Sequence, residues 1–90
     1  MPRVQFTRHL QRFFPQLAEV EVPAASVAEL VDALEVRHPG LRDFLVDERG
    51  TLRKHVNIFI ENEMVRDRER LSDPLQPDSQ VFVMQALSGG

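Results

Sequence analysis

A single short amphipathic helix, capped at its start and flanked by alternating segments, constrains this chain more than any other feature. Ser26 suits an N-cap, and Glu29 three residues later completes a capping box. Val27, Leu30, Val31 and Leu34 then recur at the spacing of one helical stripe. Pro39-Gly40 ends the element, because the residue before a proline is disfavoured in helical geometry. Glu29, Asp32, Glu35 and Arg37 line the wet side. A lone helix with one apolar stripe needs a flat apolar partner, and the neighbouring segments read as that sheet.

Residues 3–7 alternate, with Val4 and Phe6 on one face and Arg3, Gln5 and Thr7 on the other. Residues 19–22 alternate again, turning Val20 and Val22 inward until Pro23 closes the strand. Residues 55–61 form the strongest strand, with Val56, Ile58 and Ile60 inward. Asn62-Glu63 reads as a tight turn into a short strand at 64–66, and residues 81–87 make the final strand. Between these lie a packed loop or single helical turn around Phe13-Phe14, a short irregular or helical piece at 41–46, a turn at 47–50, and a polar loop at 68–79 around Leu71 and Leu75. Runs of strands with one helix imply an α+β domain, the helix packed across one sheet face. The expected core joins Val4, Phe6, Val20, Val22, Val56, Ile58, Ile60, Val81 and Val83 to the four stripe residues.

Ninety residues support one core and one domain. There is no cysteine, which excludes a disulfide framework and a cysteine-ligated metal, and suits a cytoplasmic setting. The formal charge of −3 argues against a nucleic-acid partner held by phosphate neutralisation. No apolar run approaches the roughly 20 residues that span a membrane, and no signal-peptide pattern opens the chain. His9, His38 and His55 lack metal-ligand spacing, and Ser72, Ser79 and Ser88 lack the strand–elbow–helix context of a catalytic serine. The paired carboxylates Asp32/Glu35 and Asp47/Glu48 read as solvated, and no glycine-rich phosphate loop is present. The chain is therefore expected not to be an enzyme by itself.

Most outward sheet positions are polar: Arg3, Gln5, Thr7, Glu19, Glu21, Asn57 and Glu61. Phe59, Phe82 and Met84 are not, and they cluster if the third and last strands are neighbours, as a partner surface would. The competing reading has a loop carrying Phe13 or Phe14 folded over Phe59.

The sequence closes on Ser88-Gly89-Gly90 directly after the apolar last strand. Two adjacent glycines arise there by composition with a chance of about 0.5 %, at a usage of about 7 % per position. Lacking Cβ atoms, they give a slender stalk that fits a narrow slot. A frayed end or an expression scar is the plain alternative.

These residues resemble the MoaD/ThiS-type ubiquitin-like sulfur carriers, most nearly the CysO branch, over almost the whole chain. The resemblance rests on the strand-strand-helix-strand order, on Lys54-His55-Val56-Asn57-Ile58-Phe59-Ile60 followed by Glu63-Met64-Val65-Arg66, and on the stretch from Leu75 through Val81 to Gly89-Gly90. Asp78-Ser79 stands where the family usually has Gly-Asp, and should keep the turn. Gln85 stands where many members have proline.

The resemblance implies a β-grasp fold with a mixed four- to five-stranded sheet over residues 1–85, and a flexible tail over 86–90. It implies that the Gly90 carboxylate is the reaction centre, with Gly89 keeping the tail slender and Leu87 and Ser88 joining Phe59, Phe82 and Met84 in partner contact. No cofactor is bound; a ubiquitin-activating-type adenylating enzyme uses ATP on Gly90, and a sulfur donor protein then forms a thiocarboxylate. Cysteine is the favoured destination of the sulfur, through a pyridoxal-phosphate-dependent acceptor synthase and a metal peptidase. Thiamin, molybdopterin, thiolated tRNA and another sulfur metabolite stay open. So do a protein modifier joined through Gly90 and a small non-catalytic synthase subunit.

Overall fold

The computed structural model describes residues 1–85, with His9 by its backbone alone. In chain order the elements are β1 (Arg3–Phe6), α1 (Arg8–Gln11), β2 (Val20–Glu21), α2 (Val27–Arg37), α3 (Leu41–Leu45), β3 (Val56–Ile60), β4 (Glu63–Met64) and β5 (Gln80–Gln85). The strands form one five-stranded sheet in the order β2-β1-β5-β3-β4. β1 and β5 run parallel, and the other pairs are antiparallel. β5 therefore occupies the centre of a mixed sheet.

Helix α2 forms as its sequence dictates. The Ser26 hydroxyl accepts from the Glu29 N–H at 3.2 Å, and the Glu29 carboxylate accepts from the Ala25 N–H at 3.1 Å. The reciprocal bond thus reaches one residue further back than in a standard capping box. Two more N–H groups of the first turn are held from outside, Val27 by the Asp73 carbonyl at 3.0 Å and Ala28 by the Leu71 carbonyl at 2.8 Å. These donors would otherwise have no partner within the helix. Val27, Leu30, Val31 and Leu34 are the buried residues of α2, and each contributes roughly 1.5–3 kcal/mol by leaving water.

The core is larger than periodicity indicates. Val4, Val22, Val56, Ile58, Val81 and Val83 are buried as expected, whereas Phe6, Val20 and Ile60 pack against the core but stay partly exposed. These three lie at strand ends or on the two-residue edge strand β2. Leu10, Leu17, Leu41, Leu45, Val46, Leu52, Val65, Leu71 and Leu75 complete the core from short helices and loops. The segment around Phe13-Phe14 holds the one-turn helix α1, and both rings pack on Phe44, with centroids at 5.1 and 5.7 Å. They engage α3 and not Phe59.

The β3–β4 hairpin turns on Glu61-Asn62, one residue before Asn62-Glu63, with φ of 51° and 69°. Positive φ at both central residues is what a two-residue hairpin with the right strand twist requires. The Asp78-Ser79 region keeps its turn: the Ser79 N–H donates to the Gln76 carbonyl at 3.1 Å, and the buried Ser79 hydroxyl accepts from the Gln76 N–H at 2.8 Å.

Candidate functional site: an outer sheet face and the root of the tail

The face of the sheet turned away from α2 divides into a polar and an apolar half. Across β1 and β2, Arg3 pairs with Glu19 at 3.4 Å and Glu21 at 3.5 Å, and the Gln5 amide donates to Glu19 at 2.7 Å. Across β5, β3 and β4 the register sets Phe82 opposite Phe59 and Phe59 opposite Met64, while Met84 stands opposite Asn57. Phe59, Phe82 and Met84 are half-buried, and Met64 is 53 % exposed. A shallow depression of about 610 Å³ opens along this row, lined by Gln5, Phe59, Glu61, Asn62, Gln80 and Phe82. The expected clustering of Phe59, Phe82 and Met84 therefore holds, since β3 and β5 are neighbours. Met64 was not foreseen as part of it, because only the hairpin register brings it beside Phe59.

The other end of the same strands forms the root of the tail. Val56 lies opposite Gln85, so the start of β3 flanks the point where β5 hands on to residues 86–90. Arg68 binds this end together. Its guanidinium donates to the Asn57 side-chain oxygen at 2.7 Å, to the Arg53 carbonyl at 2.7 Å and to the Val56 carbonyl at 2.9 Å. A planar five-donor fork can meet three acceptors at once, which an ammonium on a flexible stem does less well. β4 does not reach this part of β3, so Arg68 satisfies an edge carbonyl that a strand would otherwise take.

Arg68 is positioned by a carboxylate-centred loop. Asp67 accepts from the Ser72 hydroxyl at 2.5 Å and from the N–H groups of Arg70 at 3.0 Å, Glu69 at 3.2 Å and Ser72 at 3.3 Å. The Ser72 hydroxyl first, then the Arg70 N–H, hold the Asp67 carboxyl down to about 2, because each bond favours the ionised form. Asp73 adds bonds from the Arg66 and Asp67 N–H groups at 2.9 and 2.8 Å. None of these loop residues carries a periodic signal; the Asp-x-x-x-x-Ser spacing of Asp67 and Ser72 is the trace that sequence reading passed over.

The remaining site residues of the sequence reading, Leu87, Ser88, Gly89 and Gly90, lie outside the described residues. Among the described residues no three His, Asp or Glu side chains are grouped to hold a metal ion, and no helix is long and apolar enough to cross a membrane.

Comparison with known proteins agrees with this geometry. A chain in the crystal structure of the Amycolatopsis orientalis BexX/CysO complex superposes with a TM-score of 0.85 at 27 % identity, covering 100 % of both chains. Mycobacterium tuberculosis CysO gives 0.83 at 21 % identity, over 97 % of this chain and 100 % of that one. The solution structure of small archaeal modifier protein 1 from Methanosarcina acetivorans gives 0.79 at 19 %, over 99 % and 95 %. None of the curated proteins matches the sequence. The fold is the ubiquitin-like β-grasp, in the five-stranded form of the expected sheet. With the ThiS family model matching residues 4–90, the chain belongs to the ThiS family.

Proposed function

We propose that the chain is a sulfur carrier whose Gly90 carboxylate is adenylated at the expense of ATP and then converted to a thiocarboxylate. The observation that carries this reading is the central position of β5. The strand that leads to Ser88-Gly89-Gly90 is paired along both edges, and its outward residues Phe82 and Met84 lie in the apolar half of the sheet. A partner seated on Phe59, Met64, Phe82 and Met84 is thereby held at a fixed distance from Gln85, the end of β5. A ubiquitin-activating-type enzyme is the partner whose chemistry fits, since it sets a terminal carboxylate, here that of Gly90, against the α-phosphorus of ATP with loss of pyrophosphate, and the sulfur nucleophile then displaces AMP. Sulfur from a donor protein must then approach the acyl adenylate closely, and Cβ atoms at positions 89 and 90 would crowd that approach. The carrier itself supplies no general base; it presents the tail and docks. Leu87 and Ser88 extend the contact along the tail.

We favour cysteine as the destination, by way of a pyridoxal-phosphate-dependent synthase and a metal peptidase that releases the product, on the sequence resemblance to the CysO branch. Intact-mass measurement after incubation with the activating enzyme, ATP and a sulfur source tests the proposal. Replacement of one oxygen by sulfur at Gly90 is expected. No change in mass, with pathway activity indifferent to deletion of Gly90, overturns it.

A further inference from the structure

The stretch Phe13-Phe14-Pro15 takes no part in the outer face of the sheet, yet the fold holds it in place at the surface. The Phe13 and Phe14 N–H groups both donate to the Leu10 carbonyl, at 3.1 and 3.3 Å, and the Leu17 N–H donates to the Phe14 carbonyl at 2.9 Å. The Gln11 side-chain amide donates to the Leu17 carbonyl at 2.9 Å. Leu10 and Leu17 are buried, so the loop is anchored on both sides, and Phe44 backs both rings. Phe13 nevertheless keeps 57 % of its surface exposed.

Against this loop stands the corner between α2 and α3. The His38 N–H donates to the Leu34 carbonyl at 2.8 Å, and the Leu41 N–H to the His38 carbonyl at 2.9 Å. The Glu35 carboxylate accepts from the Gly40 and Arg42 N–H groups at 2.9 and 2.8 Å, which pins the corner. Loop and corner together form an open cavity of about 300 Å³. Phe13, Phe14, Pro15 and Pro39 give it apolar walls, and Arg37 and His38 complete the lining.

The charge here is of one sign. No carboxylate of the described residues lines the cavity, although the chain has 14 acidic residues against 11 lysines and arginines. Arg12 adjoins Phe13 along the chain and is exposed. Among the described residues, neither Arg12 nor Arg37 has a carboxylate partner. A volume of this size lies at the small end of ligand sites and has room for one large side chain. Aromatic walls favour an aromatic ring, and a guanidinium stacks on the face of one. Carboxylates flanking such a ring would meet Arg37 and Arg12.

We propose that this cavity is a second docking site, which takes an acidic segment of a partner protein by one aromatic side chain. It shares no residue with the depression on the outer face, so occupancy of one leaves the lining of the other free. The site acts whatever chemistry takes place at Gly90.

The test follows the amide signals of the full chain by NMR as an acetylated, amidated Glu-Asp-Phe-Asp-Glu pentapeptide is added. Saturable shifts are expected at Phe13, Phe14, Gln16, Arg37 and His38, with Phe59, Phe82 and Met84 unmoved. Alanine in place of the peptide's phenylalanine should remove them. Arg37 is exposed on α2, and Arg37→Ala should weaken binding about threefold, the scale of one exposed charge pair. Arg37→Glu should weaken it about tenfold, because reversal adds a repulsion of similar size. Phe13→Ser should abolish binding; if that variant does not fold, Arg37→Glu decides. Equal binding of a Lys-Lys-Phe-Lys-Lys peptide, shifts centred on the outer face, or no shift at millimolar peptide overturns the proposal. Shifts at these amides that follow protein concentration without peptide also overturn it, since they mark a contact between copies.

Discussion

Phe59 and Phe82 stand opposite one another across β3 and β5, on the sheet face that α2 leaves uncovered. The pair is flanked by Met64 on one side and by Gln5 on the other, so the boundary between apolar and polar halves runs along β5 itself.

Truncating that row separates docking from folding. Phe82→Ala is expected to weaken the complex with the adenylating partner by roughly 2 kcal/mol, about 30-fold in Kd, as a central aromatic anchor does. Met84→Ala should act in the same direction. Titration calorimetry gives the Kd, and thermal unfolding should show Tm lowered by no more than about 8 °C, since Phe82 is only half-buried. A collapse of Tm with unchanged affinity would mean that the face is structural.

The opposite side of the same strand behaves otherwise. Ile58 is fully buried one residue from Phe59, and Ile58→Ala should cost about 3 kcal/mol from lost transfer energy and the cavity left behind. Tm should fall on the order of 15 °C in a domain of this size. Wild-type stability in this variant would mean that the two faces had been exchanged, as a one-residue slip exchanges them.

Arg68 tests the root of the tail. Its three charge-assisted bonds go to Asn57, Arg53 and Val56, and Arg68→Ala should cost roughly 2 kcal/mol, within the range for bonds to charged groups. Arg68→Lys should recover less than half of that, because an ammonium cannot reproduce the fork. Denaturant unfolding of both variants gives the comparison, and full rescue by lysine would show that charge alone suffices.

Acid should loosen the loop at Asp67. Its carboxyl is held at about 2 in the fold against an ordinary value of 3.8, chiefly by the Ser72 hydroxyl. A group held lower in the folded state stabilises above its unfolded value and loses that contribution as pH falls through its folded value. Stability should therefore decline between about pH 4 and about pH 2. Asp67→Asn should be less stable at neutral pH and flatter in that interval when followed by circular dichroism. Parallel curves for the two proteins would remove Asp67 from the acid response.

The parts of this molecule that were legible in sequence are those whose signals are local. Ser26 and Glu29 announce the start of α2, and the stripe Val27, Leu30, Val31 and Leu34 is the set the helix buries. The alternation of Val56, Asn57, Ile58 and Phe59 assigned the two sheet faces correctly, and with them the patch. Leu10, Leu41, Leu45, Leu52, Leu71 and Leu75 were missed as core because each sits in a short helix or loop, where burial is set by tertiary contact and leaves no period to read. The hairpin was misplaced by one residue since neither Glu61 nor Asn62 is glycine, although both take positive φ. Glu61 is held there partly by its own carboxylate, which accepts from the Gln80 N–H at 2.8 Å. Met64 and Arg68 owe their places to register and loop closure, which are non-local by nature.

The parallel pairing of β1 with β5 also has a mechanical side. A pull on the chain beyond Gln85 runs along the axis of β5, and the hydrogen bonds to β1 and β3 lie across it. Those bonds are loaded in shear on both edges together, so they must break as a set and cannot peel one at a time. An unfolding machine that grips the tail therefore loads two ladders at once, while one that starts from the two-residue edge strand β2 has a single short ladder to part.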